Sequence, residues 1–207
     1  MISIQTHIPD TYDRTKPVVI IGKGPSARFV QKSDDYYIAC LNQGGRLAEH
    51  IDFQFLGDQR PYDDMLNSYV DRVDNLIFPT KFNLQNKVGN HSFDYVESTL
   101  PKHINKYCYT FCGPTVWDCH EFDFAMKVSV MCTGELSFYW LIQQGFKSFK
   151  SVGIDKNCLS QRRHNYFMKN GDCPDVEAGH LFDGWEDFMF ERKLKVVNKY
   201  KVKWEMI

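Results

Sequence analysis

The turn Gly22-Lys23-Gly24-Pro25-Ser26 follows the β-branched run Pro17-Val18-Val19-Ile20-Ile21. Glycines at such a place let a backbone come close to a phosphate or sugar, and a following helix would offer free N–H groups to an anion. A plain strand-to-helix turn has the same composition, with Ser26 as helix cap and Lys23 simply solvated. Asn42-Gln43 ends a second apolar run, where an amide can both donate to and accept from a base or sugar, or merely make a turn. Thr133-Gly134 stands before an apolar helical stretch, as a cap or as a hydroxyl and N–H pair facing a ligand. Asp155 closes Gly153-Ile154-Asp155, where a carboxylate either orients a ligand or caps a turn. His180 has a side chain suited to general-base work near neutral pH, and a lone histidine serves equally in packing. Arg162, Arg163 and Tyr166 bring cations and a phenol to a polar stretch, able to steady a phosphate or to stay solvated.

The elements that must position these groups are visible as short apolar runs. After the first strand come Tyr36–Leu41, Asp52–Leu56 with Gly57-Asp58 behind it, and Asn75–Phe78. Runs without alternation suit strands covered on both faces, as in a parallel sheet. Residues 1–16 read as a polar lead-in and residues 81–120 as a loop-rich insertion with one strand near Tyr107–Phe111. Glu135–Gln144 predicts a helix ended by Gly145, Phe149–Ile154 a buried strand, and 201–204 a final strand. Asp183 and Glu186 suggest a capping-box variant opening a helix that runs to about Asn198. The pattern predicts an α/β fold with a Rossmann-like, mostly parallel sheet and helices on both faces. It forms a single domain over 1–207 with a lid-like segment over 156–179, and sites gather at the carboxyl ends of its strands.

The chain has 207 residues, a net charge of −1, 43 % hydrophobic and 25 % charged residues. This is globular composition, and the balanced charge disfavours a dedicated nucleic-acid coat. No stretch reaches the roughly 18 apolar residues of a membrane span, and the amino-terminal residues lack a signal-peptide pattern. A cytoplasmic location is expected, in the host cytoplasm if the source is viral. Seven cysteines, an odd number, fit reduced thiols. Cys108, Cys112, Cys119 and Cys132 lack the paired short spacings of structural zinc, so no metal is expected.

Taken in order, the motifs resemble those of the Cst-type bacterial sialyltransferases, glycosyltransferase family forty-two. Those enzymes read G-N-G-P-S, C-N-Q, S-G before a helix, S-G-I-D and G-H-S. The counterparts here are Gly22 to Ser26, Leu41-Asn42-Gln43, Thr133-Gly134, Val152-Gly153-Ile154-Asp155 and Gly179-His180-Leu181. The resemblance spans roughly residues 17–204, and the middle of the chain departs from it. It implies metal-independent, inverting transfer from a nucleotide sugar with no cofactor, and His180 as the base that deprotonates an acceptor hydroxyl. Gly22, Lys23, Gly24, Pro25, Ser26, Asn42, Gln43, Gly57, Asp58, Thr133, Gly134 and Asp155 would hold the donor.

Several positions differ from the family pattern. Lys23 replaces its loop asparagine, Gly57-Asp58 replaces a sugar-contacting asparagine, Val130 an arginine and Asn157 a phosphate-binding tyrosine. Arg162, Arg163 or Tyr166 would take over the phosphate contact. These changes favour a general nucleotide-sugar transferase over a true sialyltransferase. The acceptor is left open: a glycan is one option and a modified base in viral DNA another, and the basic Lys193–Lys203 stretch is either a phosphate contact or a solvated helix face. No basic amphipathic tail is apparent to hold a lipid surface. G-x-G-P-S also occurs in a pterin-diphosphokinase-like family, so diphosphoryl transfer and non-catalytic nucleotide binding remain the alternative functions.

Overall fold

The computed structural model describes residues 7–24, 26–57, 59–79, 95, 98–111, 120–122, 127–128, 133–154 and 185–207. The lid-like segment proposed over 156–179 lies outside them. The described strands are β1 (Val18–Ile21), β2 (Tyr37–Leu41), β3 (Ile51–Phe55), β4 (Val73–Pro79), β5 (Asn105–Phe111), β6 (His120–Phe122), β7 (Lys127–Val128), β8 (Ser148–Val152) and β9 (Lys203–Met206). The helices are α1 (Gln59–Ser68), α2 (Thr133–Gln143) and α3 (Trp185–Tyr200). The strands form one sheet in the order β7-β6-β5-β4-β3-β2-β1-β8-β9. The run from β5 to β9 is parallel throughout, and β6 and β7 extend it antiparallel. The predicted α/β, Rossmann-like, mostly parallel sheet is the one observed.

Burial on both faces explains the unbroken apolar runs. In β1, Val18 and Ile20 enter one core with Leu136, Trp140 and Leu141 of α2 and Val196 and Val197 of α3. Val19 and Ile21 enter the other with Tyr62 and Met65 of α1. Helices therefore cover both faces. The aromatic richness goes largely into the first core, where the Phe53 ring lies 5.9 Å from Trp140 and 5.7 Å from Phe146. Gly145 ends α2 as expected, at φ 96°, with the Gly145 and Phe146 N–H groups donating back to Ile142 and Leu141.

Two expectations need correction. No helix follows Ser26 among the described residues; instead Val30 makes a β-bridge to Ala48. The segment is held by its N–H bond to Leu47 and by Glu49 returning to Val30, which leaves no room for a helical turn. Nor are residues 7–16 a loose lead-in. Ile8 is buried and bonds the Gln144 side chain, while Arg14 donates to the Gln144 carbonyl at 2.7 Å and stacks over Phe146. A cation at the carboxyl end of α2 meets the negative pole of that helix.

At the amino ends of β3 and β4, His50 Nε2 lies 3.0 Å from Asp74 Oδ2 and 3.7 Å from Asp52 Oδ1. Hydrogen bonding to Asp52 and Asp74 raises the imidazole from its ordinary 6.5 to about 9. A raised folded-state value contributes stability that is complete below about 6.5 and lost as pH rises through about 9. The melting temperature is expected to fall across that window, and His50→Gln to flatten the profile. Identical profiles for the two proteins count against the pairing.

Candidate functional site at the carboxyl edge of the sheet

In a parallel sheet every strand ends on the same edge, so Gly22, Asn42, Gly57 and Gly153 are brought there by β1, β2, β3 and β8. The strand order reverses between β1 and β8, which is where doubly wound sheets open a crevice. The two strand ends are locked together. Gly22 N–H donates to the Val152 carbonyl at 2.8 Å and Gly24 N–H to the Gly153 carbonyl at 2.9 Å. Gly153 N–H donates to Ser26 Oγ at 2.8 Å. Ser26 thus fixes the neighbouring strand end rather than capping a helix, and the anion-binding helix start expected at this turn is not formed.

A second group of contacts continues along the edge. Lys23 Nζ donates to Gln43 Oε1 at 3.0 Å, so this lysine is tied to the β2 turn and is not simply solvated. Asn42 has the left-handed φ of 50°, and its Oδ1 accepts the Gly57 N–H at 3.0 Å. Its carbonyl accepts from Gln54 Nε2 and from the Tyr69 hydroxyl, each at 3.0 Å. A Cβ on Gly57 would lie 2.4 Å from Thr133 Oγ1, which places the first turn of α2 directly against the end of β3. Thr133 and Gly134 form that first turn instead of preceding it. The turn residues Gly22, Lys23, Gly24 and Ser26 are therefore linked through Gln43, Asn42 and Gly57 to Thr133 and Gly134.

Pro25, Asp58, Asp155, Arg162, Arg163, Tyr166 and His180 lie outside the described residues. So do the capping residue Asp183 and the side chains of Cys108, Cys112, Cys119 and Cys132. Cys40 is fully buried in β2, and burial pushes its thiol well up, which makes it a packing residue and not a nucleophile.

One cation of the basic Lys193–Lys203 stretch belongs to this edge, which the sequence reading did not single out. Lys193 of α3 is 7 % exposed, and its Cε would lie 2.6 Å from a Cβ on Gly134. The Lys193–Lys203 stretch is thus not one solvated face: Lys195, Lys199, Lys201 and Lys203 are exposed, whereas Lys193 is inside. The signal was available, because Phe190, Lys193 and Val197 share one face at helical spacing. Beside it, Glu135 is buried and accepts from Arg192 Nε at 2.7 Å, so α3 is clamped to the start of α2. Further along, the Tyr139 and Tyr200 rings meet at 5.9 Å, so α2 and α3 run parallel. From Lys193 back to Trp185, α3 rises about 12 Å beyond the α2 start. It therefore begins on the carboxyl side of the sheet.

A cavity of about 410 Å³ lies elsewhere, at the amino edge, lined by Tyr12, Tyr36, His50, Asp52 and Asp74 among others. It shares no residue with the carboxyl-edge group of Gly22, Asn42, Gly57 and Thr133. No helix among the described residues is long and apolar enough to cross a membrane. Comparison with protein-family models, curated proteins and solved structures gives no match.

Proposed function

We propose that the chain binds a nucleotide sugar along the carboxyl edge and transfers the sugar to an acceptor hydroxyl by a metal-independent, inverting route. The observation that carries the reading is the convergence of the Gly22–Ser26 turn, Asn42, Gly57 and the Thr133-Gly134 turn on one edge. These residues are scattered through the sequence, from Gly22 to Gly134. Backbone N–H groups at the start of α2 and the ammonium of Lys193 beside Gly134 suit a diphosphate or monophosphate. Asn42 suits the sugar or base. The transfer step itself rests on the resemblance to family forty-two and on His180. It gains support from α3, whose start lies on the carboxyl side just downstream of His180 in sequence. The acceptor in this reading is a glycan or a modified DNA base.

Thermal-shift measurements with CMP-, UDP- and GDP-sugars test the binding half. At a hundredfold excess over Kd, one nucleotide class is expected to raise Tm by roughly 5–10 °C. Thr133→Val keeps the side-chain shape and removes the hydroxyl. It should reduce that shift while leaving the unliganded Tm nearly unchanged. If none of the donors moves the transition, the reading is wrong. Activity that requires magnesium and a nucleoside triphosphate would instead favour diphosphoryl transfer.

A further inference from the structure

We propose that His50, Asp52 and Asp74 form a binding site for a divalent transition metal of the zinc class, separate from the carboxyl-edge crevice. One imidazole nitrogen and two carboxylate oxygens converge here, with all three ligand atoms within 4.8 Å of one another. With metal–ligand bonds of about 2.1 Å, neighbouring ligand atoms stand about 3.0–3.4 Å apart in octahedral or tetrahedral geometry. The separations of 3.0 and 3.7 Å from His50 Nε2 come close to those edges without any backbone movement. Small rotations of the Asp52 and Asp74 carboxylates would bring the three atoms, already within 4.8 Å of one another, to a common ion.

The ligands stand on rigid elements. Ile51 pairs with Val73 across β3 and β4, so Asp52 and Asp74 occupy matching positions on adjacent strands. The Asp52 carboxylate and the strand that carries it are supported from behind. The other oxygen of Asp52, Oδ2, accepts the Ile38 N–H at 2.7 Å. The Asp52 carbonyl accepts from Asn75 Nδ2 at 2.7 Å, and Asn75 is fully buried and held in turn by Asn105. Such outer contacts fix a ligand's direction and are typical of metal sites. The remaining coordination positions would face the 410 Å³ cavity. Lys16 and Lys32 line that cavity as well, and their charge favours an anionic ligand on the open side of the ion. An imidazole in the set favours zinc and other late transition metals over magnesium, calcium and manganese, which prefer oxygen-rich sites.

The test uses the full chain, stripped with a chelator and titrated at one fixed neutral pH with Zn²⁺, Mn²⁺ and Mg²⁺ in turn. Zinc is expected to bind at one equivalent that both His50→Gln and Asp74→Asn weaken on the order of tenfold or more. Magnesium should not compete. Asp74 is half-exposed, so its replacement by asparagine leaves folding intact even if His50→Gln does not. Co²⁺ loaded into the wild-type chain should show nitrogen and oxygen ligation without thiolate-to-cobalt charge transfer, which separates this site from the cysteines. Zinc uptake that the variants leave unchanged, strong thiolate bands, or no uptake at all would each overturn the site and reduce the trio to an ion pair between two strands.

Discussion

Gly22→Ala is expected to lower stability by about 3 kcal/mol or more, a loss of roughly 6–12 °C in Tm, and to abolish nucleotide-sugar binding. A Cβ at this position would stand 2.1 Å from the Gly153 carbonyl oxygen and 2.8 Å from its carbon. Both are backbone atoms, so no rotamer change relieves the clash. The relief must come from parting β1 and β8, which breaks the Gly22–Val152 and Gly24–Gly153 hydrogen bonds. Gly145→Ala is the informative control. It places a Cβ at φ 96°, which is strained, but 3.6 Å from Arg14, which is ordinary contact. Its cost is expected near 1 kcal/mol. Denaturant unfolding of both variants decides the matter, and equal losses would show that close approach at Gly22 is not the cause.

His180→Ala is expected to reduce sugar transfer by roughly 10²–10⁴-fold while the donor-induced thermal shift survives. The assignment follows from the resemblance, in which the imidazole takes the acceptor proton as the sugar–phosphate bond lengthens. In the proposed reading, donor binding at Gly22, Asn42 and Thr133 should survive loss of that base, so the two readouts separate. The acid limb of the wild-type pH–rate profile should report a histidine and vanish in the variant. Near-normal turnover by His180→Ala would remove this residue from the mechanism and leave the donor site standing.

Strands and helices differed in how clearly the sequence announced them. β1, β2 and β8 were legible because burial on both faces selects unbroken runs such as Val18–Ile21. Helix α1 was not, because it buries little beyond Tyr62 and Met65 within a polar decapeptide, and Tyr69 just past its end completes the stripe. The helix expected after Ser26 was a false inference from composition. A serine after a glycine turn suits a cap, but nothing in the sequence reveals that Gly153 N–H would claim its hydroxyl from a distant strand. The lead-in was misread for the same reason, since Ile8 and Arg14 find their partners at Gln144 and Phe146, just past the end of α2. At the site, the glycines, Asn42 and Thr133 could be picked out locally because turns select such types. The burial of Lys193 could be read from its helical face, but its meeting with Gly134 and the His50–Asp52–Asp74 trio depend on which strands and helices become neighbours, and that is a property of topology.

The pairing of β1 with β8 also governs when the carboxyl-edge cluster can assemble. Ser26 and Gly153 are 127 residues apart, and they are joined only when β1 accepts a partner made late in synthesis. Closing so long a loop is slow and forms late. A ribosome-bound chain that has released β1 to β4 would carry the glycine turn with nothing opposite it. Nascent chains should therefore remain blind to the donor until β8 has emerged, so ligand cannot rescue an early folding intermediate, and chaperone dependence should be greatest while β1 waits with one side open.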